Sequence, residues 1–303
     1  MQSQEIAAKE RPHTGQPQKE RLQKERPRPG RRLTYTITVY ALLVIIAAIT
    51  LAPLAYTISG SFKTNAGVLE WPPRLIPKPP VTSNYAEVWN SSPLFPRWIV
   101  NSVFLALVHV AAELFFASLA GYAFARMKFP GRDLIFMIML GTLMIPPPVT
   151  VVSKYIIVAR LGWVNTYLGV IMPTLVTVFG VFLMTQFIRA IPKDLDEAAT
   201  IDGCSRFGIY WRIVLPLSKP ALSALAIFAF KDSWNEFMWS LTVLNSPELF
   251  TLPLGLNYFR GQFYTFWNLV LAGSMFNIAP ILIVFIIFQR YFIKGIAMSG
   301  LKG

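Results

Sequence analysis

Long apolar runs separated by short polar stretches dominate the sequence. Residues 33–62 contain no charged side chain, and a helix that spans a membrane needs about 20 apolar residues. Five further runs have a similar character. The pattern therefore predicts an all-α polytopic membrane protein whose six transmembrane helices lie at about residues 35–58, 98–125, 134–157, 165–188, 220–244 and 266–289.

The composition and the distribution of charge support a membrane protein. Hydrophobic residues make up 54% of the chain and charged residues 14%, whereas soluble domains average about 25% charged. The net charge of +13 could indicate nucleic-acid binding, but 20 of the 28 Lys and Arg residues lie in residues 1–32, 126–132, 189–219 and 290–303. Because basic loops stay in the cytoplasm, this distribution predicts that both termini are cytoplasmic.

Three stretches outside the regular spans have their own predicted character. Residues 1–32 are basic and poor in apolar side chains, which predicts a disordered cytoplasmic tail. An alternative is that the tail lies against anionic lipid. The Pro-rich loop 63–97 is expected outside the bilayer. Three prolines at 146–148 must interrupt the third span, either to line a solute path or as a packing kink.

A 26-residue polar stretch separates the fourth and fifth apolar runs at residues 191–216 and is called here the polar segment. Asp194 and Glu197 precede a short Ala-containing run that stops at Gly203. This arrangement predicts a two-turn helix, because an acidic side chain caps the first amides and a glycine ends the helix. A compact polar helix between two spans is a candidate docking surface for another protein.

Motifs for independent chemistry are missing from the sequence. It contains no phosphate-binding loop, no dinucleotide fingerprint, no HExxH zinc motif and no Ser-His-Asp candidate set. One cysteine, Cys204, and two histidines provide no Cys-cluster or His-rich metal site. We therefore expect no cofactor, no metal and no enzyme activity, and any nucleotide must bind to a separate subunit.

The fifth predicted span carries the side chains least compatible with lipid. A charge at a helix centre costs about 2.5–3.5 kcal/mol, so Lys231 and its charged neighbours must face protein or a wet cavity. They line the solute path or pair with other helices, and both interpretations remain open. The solute-path candidates are Asp232, Trp234, Asn235 and Glu236.

Two polar residues four positions apart lie in the second span, His109 and Glu113. They share one helix face, and contacts between helices explain such a pair better than a solute path does. The aromatic side chains of the outer loops are better explained by the interfacial belt than by sugar stacking.

The polar segment contains a longer motif. Glu197-Ala198-Ala199, three residues, Gly203, nine residues, Ile213, one residue and Leu215-Pro216 follow one another. This spacing resembles the EAA loop of the membrane subunits of ATP-binding-cassette (ABC) importers. Other stretches resemble the carbohydrate-uptake branch, in particular the second permease of maltose-type systems, at residues 63–85, 120–126, 161–166, 234–237 and 295–303.

The resemblance, which covers about residues 33–303, implies a type I ABC importer fold in a prokaryotic plasma membrane. It implies a homologous second permease, two ATPase subunits that hold ATP and Mg, and an extracytoplasmic solute-binding protein. A sugar would then cross by alternating access. The residues that would couple to the ATPase are Glu197, Ala198, Ala199, Asp202 and Gly203 in the polar segment, and Gly300, Lys302 and Gly303 in the carboxyl tail.

A different class of protein remains an alternative. The charges Lys231, Asp232 and Glu236 could form the ion relay of a stand-alone secondary transporter. A membrane enzyme is a weaker alternative because the chain has no catalytic set. The sequence leaves open whether the solute is a sugar, a polyol or a glycerol phosphate.

Overall fold

A computed structural model describes residues 29–261 and 264–299, with the side chains of residues 35–257, 259–261 and 264–289. Within these ranges the chain is helical, and its extended pairing is limited to an isolated bridge between Arg260 and Thr265. The predicted all-α class is therefore confirmed. Most of the predicted amino tail and the candidate residues Gly300, Lys302 and Gly303 lie outside the described residues.

The described chain forms fifteen α-helices connected by short turns. In the first half they are α1 (Pro29–Ser61), α2 (Asn65–Leu69), α3 (Ser83–Asn90), α4 (Phe95–Arg126), α5 (Arg132–Gly141), α6 (Val151–Arg160) and α7 (Tyr167–Ile171). In the second half they are α8 (Val178–Ala190), α9 (Asp194–Ile201), α10 (Arg206–Ile209), α11 (Leu215–Leu217), α12 (Lys219–Trp234), α13 (Met238–Val243), α14 (Leu252–Leu256) and α15 (Trp267–Ser299).

The contacts divide the chain into two units, Met1–Ala55 and Tyr56–Gly303. In the first unit the structure describes residues 29–55, which belong to α1. The apolar side chains of this part of α1 are almost all exposed, as a helix surrounded by lipid requires. The second unit contains the remaining helices and all of the sites discussed below.

Six candidate spans are present in the described residues if each bent pair of helices counts as one span. Three single helices are long and apolar enough: Tyr35–Ser61, Phe95–Arg126 and Trp267–Gln289. The bent pairs are Arg132–Met144 with Pro147–Arg160, Tyr167–Thr174 with Val178–Ala190, and Arg206–Leu217 with Lys219–Trp234, at 103°, 43° and 77°. The first break lies at the three consecutive prolines, as the sequence predicts, because proline supplies no amide donor.

The fifth span requires a correction. A continuous helix over residues 220–244 was expected, but α12 ends at Trp234 and α13 starts at Met238. The break is stabilised on its far side, where the Glu236 Oε1 accepts a hydrogen bond from the Trp239 backbone N–H at 2.7 Å. This carboxylate accepts a bond from one of the free amides at the start of α13. Glu236 therefore stabilises the start of α13 and does not extend α12.

Helix α4 lies at the centre of the second unit and packs against α8 and α12. Its closest approach to α8 occurs at Gly121, where a Cβ atom would lie 2.7 Å from the Met184 Cβ and 3.0 Å from the Thr185 backbone nitrogen. Only a glycine allows the two backbones to come this close. Ala117, Met184 and Ile188 belong to the buried apolar cluster formed here.

Candidate functional site

The polar segment forms the predicted two-turn helix, α9, which has eight residues. Three acidic residues lie in its first turn, Asp194, Asp196 and Glu197, where negative charge interacts favourably with the helix dipole. The predicted capping role of Asp194 is wrong. The N-cap is Lys193, it makes no side-chain capping bond, and Asp194 lies inside the helix.

The predicted end of this helix at Gly203 is confirmed. Gly203 has φ of +79°, a left-handed conformation that a glycine adopts without strain. The Cys204 N–H donates to the Ala199 carbonyl at 2.9 Å, and the Gly203 N–H donates to the Thr200 carbonyl at 3.0 Å. These two bonds form a Schellman motif, which fixes the direction in which the chain leaves α9.

Three polar side chains at four-residue spacing on α4 hold the polar segment; we call them the α4 ladder: Ser118, Tyr122 and Arg126. The hydroxyls of Ser118 and Tyr210 are 2.8 Å apart. The Tyr122 hydroxyl donates to the Arg206 carbonyl at 3.2 Å. Because residues four apart share a helix face, the ladder binds the polar segment at several successive points.

Arg126 makes the strongest of these connections. Its Nη2 donates to the Ile191 carbonyl at 2.6 Å, and its Nε lies 2.9 Å from the Asp196 Oδ2. Only 4% of the Arg126 side chain is exposed. An ion pair this deeply buried is costly to break, since either partner alone leaves an uncompensated charge. Arg126 therefore fastens α9 to the end of α4.

The two faces of α9 differ. Ala199 is 6% exposed and belongs to the apolar cluster between α4 and α8. Glu197, Ala198 and Asp202 are exposed, and Ile201 is exposed to 86%. A large apolar side chain left bare beside acidic residues is typical of a contact surface. The candidate coupling residues are thus divided: Ala199 seats the helix, and the others form its free face.

Glu113, in the middle of α4, is fully buried and connects two spans. Its Oε2 accepts from the Thr177 N–H at 2.7 Å, and its Oε1 accepts from the Thr177 hydroxyl at 2.6 Å. Thr177 is the N-cap of α8, and its hydroxyl accepts from the Gly180 N–H. The carboxylate therefore stabilises the start of α8 at the break in the fourth span, the inter-helix role favoured by the sequence.

A cavity of about 150 Å³ lies beside this break; we call it the Asp232 cavity. Its polar lining comes from five parts of the chain: His109, Thr174, Thr177, Asp232, Ser233, Glu236, Ser240 and Thr251. His109 lies near the middle of α4, and Thr174 and Thr177 border the break before α8. Asp232 and Glu236 thus share this cavity even though α12 ends between them.

Two buried hydroxyls on the cavity wall have no hydrogen-bond partner among the described residues, Ser240 and Thr251. Their residues are 0% and 4% exposed. A buried hydroxyl without a partner costs about 1–3 kcal/mol. Native proteins keep few such groups, so these two hydroxyls call for an explanation.

The other solute-path candidates lie elsewhere. Trp234 is buried and stacks on Phe230. Its Nε1 donates to the Asn277 carbonyl at 3.0 Å. Trp234 therefore faces α15 and is not part of the cavity lining. Asn235 accepts from the Asn277 Nδ2 at 3.1 Å. Lys231 pairs with Asp232 at 3.0 Å on the surface of the chain.

The α4 ladder and the cavity hydroxyls were missed by reasoning from the sequence. The ladder had a signal, because Ser118, Tyr122 and Arg126 recur at a spacing of four on one face of an apolar helix. Ser240 and Thr251 had none. They are separated by 11 positions and meet only through the turns after α13.

Apolar helices, three bent pairs among them, together with the polar helix α9 held by Arg126, define a multi-pass membrane protein over the described residues. Residues 113–298 match the family model described as the binding-protein-dependent transport system inner membrane component. The chain belongs to this family.

Relatives of this chain are transport permeases. The arabinooligosaccharides transport system permease protein AraQ of Bacillus subtilis is 36% identical over 271 residues, covering 89% of this chain and 96% of the relative. The trehalose/maltose transport system permease protein MalG of Thermococcus litoralis is 34% identical over 264 residues, covering 86% and 94%. The predicted resemblance to carbohydrate-uptake permeases is confirmed, and these relatives give no support to a secondary transporter.

The fold also has a solved counterpart. A chain in the crystal structure of a bacterial ABC transporter involved in the import of the acidic polysaccharide alginate superposes with a TM-score of 0.75. The two are 24% identical, and the match covers 88% of this chain and 98% of that chain. The shared feature is the ABC importer permease fold.

Proposed function

We propose that this chain is one membrane-spanning permease subunit of an ABC importer, and that it moves a sugar by alternating access. The observation that carries the proposal is that α9, in a chain of this family, has one buried face and one exposed face. Its inner face is fixed by Arg126 and Ala199, and its outer face is free. A helix held in this way transmits a push from a partner to the spans as one body.

The partner proposed for the free face is an ATPase subunit, which holds the ATP and Mg. Glu197, Ala198, Ile201 and Asp202 would contact it, and Gly203 would set the exit angle of the chain. The carboxyl tail, with Gly300, Lys302 and Gly303, would reach the same partner. In this arrangement the termini and the polar segment are cytoplasmic, which agrees with the positive-inside distribution of Lys and Arg.

The complete transporter would contain two ATPase subunits, a homologous second permease and an extracytoplasmic solute-binding protein. A sugar as the solute is supported by the transport systems of the relatives, one for arabinooligosaccharides and one for trehalose and maltose. Movement of α9 would reach the spans through the α4 ladder, since α4 packs on both α8 and α12.

Reconstitution of the full complex in proteoliposomes tests this function. The expected result is uptake of a radiolabelled sugar, such as maltose or arabinotriose, only when ATP and the loaded binding protein are both present. Uptake driven by an ion gradient without the ATPase would overturn the proposal and favour a secondary transporter. Lack of uptake of every sugar by the assembled complex would overturn the sugar assignment.

A matched pair of variants tests the assignment of the two faces. Ala198→Trp on the free face is expected to leave the thermal stability of the permease unchanged and to abolish binding of the ATPase. Ala199→Trp overfills a buried site, which costs about 1–3 kcal/mol, so this variant loses stability as well. If Ala198→Trp retains ATPase binding and uptake, α9 is not the coupling surface.

A further inference from the structure

We propose that the Asp232 cavity is a binding subsite in this chain for one ring of a neutral sugar, and that its charge selects against anionic sugars. The proposal rests on the proposed function and names the class of solute. It is carried by the placement of the cavity, by its two unpartnered hydroxyls and by the balance of charged groups around it.

The size of the cavity fits one sugar ring. Its volume is about 150 Å³, whereas sites for drug-sized ligands start at about 300 Å³. A single ring with its hydroxyl groups fills the smaller space, and an oligosaccharide does not. The Asp232 side chain, 59% exposed, forms the rim, so a longer chain of sugars would extend outward from there.

The polar groups of the lining match a polyol. Ser240 and Thr251 have unpartnered hydroxyls in an otherwise well-packed region, and carboxylates at Asp232 and Glu236 are strong acceptors. A sugar hydroxyl donates and accepts at once, so it can bond to a carboxylate while satisfying a protein hydroxyl. Apolar walls at Leu105, Val170 and Ile171 suit the C–H surfaces of the ring.

The helix breaks also converge on this place. The fourth span is interrupted between Thr174 and Val178, and α12 ends at Trp234. Broken helices at mid-depth survive where the loosened backbone lines a cavity or is buried in protein, and transporters use such breaks for solute sites. His109 lies near the centre of α4, a helix of 32 residues. The cavity that it lines is therefore about halfway along α4.

The charges around the cavity are mainly acidic. Asp232 and Glu236 line it, and Glu113 lies behind Thr177. The basic side chains nearby are His109, which lines the cavity, and Lys231, which is already paired with Asp232. A uronate or a sugar phosphate would bring a further negative charge next to these carboxylates, which is unfavourable in a region of low dielectric constant. A neutral ring carries no such cost.

A metal ion is the less suitable occupant. Among the described residues, no group of three or more His, Cys, Asp or Glu side chains is arranged to hold one. One oxygen of Glu236 is already bonded to the Trp239 N–H. The remaining groups, hydroxyls and single carboxylate oxygens, are those that recognise polyols.

Cysteine protection in the assembled transporter tests the subsite. Because Cys204 is the single cysteine of the chain, Cys204→Ser provides a cysteine-free background. Ser233→Cys then places a thiol on the cavity wall, and Ser223→Cys places one on the same helix away from the cavity. The rate at which 2-aminoethyl methanethiosulfonate converts the thiol to a mixed disulfide, with release of methanesulfinate, is measured with D-glucose, L-arabinose or D-glucuronate present.

At a neutral-sugar concentration of about twice its Kd, occupancy should slow labelling of Ser233→Cys about threefold. D-Glucuronate should leave the rate unchanged, and Ser223→Cys should respond to none of the sugars. The proposal is overturned if neither neutral sugar protects Ser233→Cys, or if D-glucuronate protects it equally well. Thr174→Cys, on the opposite wall, repeats the test if Ser233→Cys fails to assemble.

Uptake by the same preparation separates the two proposals. Sugar uptake without protection would leave the importer function standing and remove the subsite. Protection by a neutral sugar without any ATP-dependent uptake would retain the subsite and remove the importer function.

Discussion

The C-terminal end and the middle of α4 differ in what their polar side chains meet. At the C-terminal end, Ser118, Tyr122 and Arg126 each reach a partner on the polar segment. In the middle, His109 lines a cavity whose wall holds two hydroxyls without a partner among the described residues, those of Ser240 and Thr251. The end of the helix fastens an element of the chain, whereas its middle borders a cavity with polar groups left free.

This difference indicates which region is scaffold and which is a site. A buried polar group that has its partner rigidifies the structure around it. A buried polar group without one carries a desolvation cost that a ligand can remove. Glu113 lies between the two regions and belongs to the first kind, because both of its oxygens accept bonds from Thr177.

The largest effect is expected from Arg126→Ala. Removing one partner of a buried ion pair costs about 3–5 kcal/mol, and α9 loses its bond to the Ile191 carbonyl as well. We expect the permease to reach the membrane at a reduced level and ATP hydrolysis to become uncoupled from uptake. The measurement is the ratio of sugar transported to ATP hydrolysed in proteoliposomes.

Two controls sharpen this test. The exchange Arg126→Asp with Asp196→Arg restores the opposite charges and should recover part of the coupling. Asp133→Ala removes the exposed ion pair with Arg132 in the following turn and should change neither stability nor coupling, because exposed pairs contribute little. Full coupling in Arg126→Ala would show that the α4 ladder does not transmit the movement of α9.

The next effect is expected at Gly121. A valine there collides with Met184 and the Thr185 backbone, so the two helices must separate, at about 1–3 kcal/mol. A lower thermal unfolding temperature in detergent is the expected result. Gly141→Val is the control, since no atom lies within 4 Å of an added Cβ at Gly141. Equal stability of the two variants would argue against the close contact of α4 and α8.

Glu113→Ala should cost somewhat less. It removes the acceptors of the Thr177 N–H and hydroxyl, and losing an N-cap interaction typically costs about 0.5–2 kcal/mol. Glu113→Gln keeps one acceptor oxygen and should lose less. Thermal unfolding of the two variants measures the difference. If both leave the unfolding temperature unchanged, Glu113 does not stabilise α8 and belongs with the groups that are free to bind solute.

The smallest effect separates a paired serine from an unpaired one. Ser118→Ala removes a hydrogen bond to Tyr210 and should cost about 0.5–1.5 kcal/mol. Ser240→Ala removes a hydroxyl without a protein partner, so the free energy of unfolding should stay the same or increase. The same thermal assay compares them. A larger loss for Ser240→Ala than for Ser118→Ala would contradict the contrast between the fastened end of α4 and the Asp232 cavity.

Several features were predictable because they depend on neighbours in the sequence. The apolar runs gave the number of candidate spans, and the three prolines gave the break in the third span. Gly203 gave the end of α9, since a left-handed residue is needed there. The spacing from Glu197 to Pro216 indicated the family. In each case the physical cause operates within one or a few turns of helix.

Other features were mispredicted because distant partners decide them. Asp194 is the type of residue that caps a helix, yet the N-cap of α9 is Lys193, one residue earlier. Arg126 holds the neighbouring Asp196 and Ile191 in place. The break after Trp234 follows from Asn277 and from the new helix that Glu236 starts. The apolar pattern of the sequence continues across this break, so it predicts one unbroken helix.

The sequence by itself determined the class of protein, the number of candidate spans and the short polar helix α9, because hydrophobic length and local turn chemistry are sufficient for these. Tertiary structure decided which residues face which partner. It turned Ala199 inward and left Ala198 exposed, and it brought His109, Asp232 and Ser240 around one cavity. These outcomes depend on the packing of α4 against α8 and α12, which are separated from α4 by long stretches of the chain.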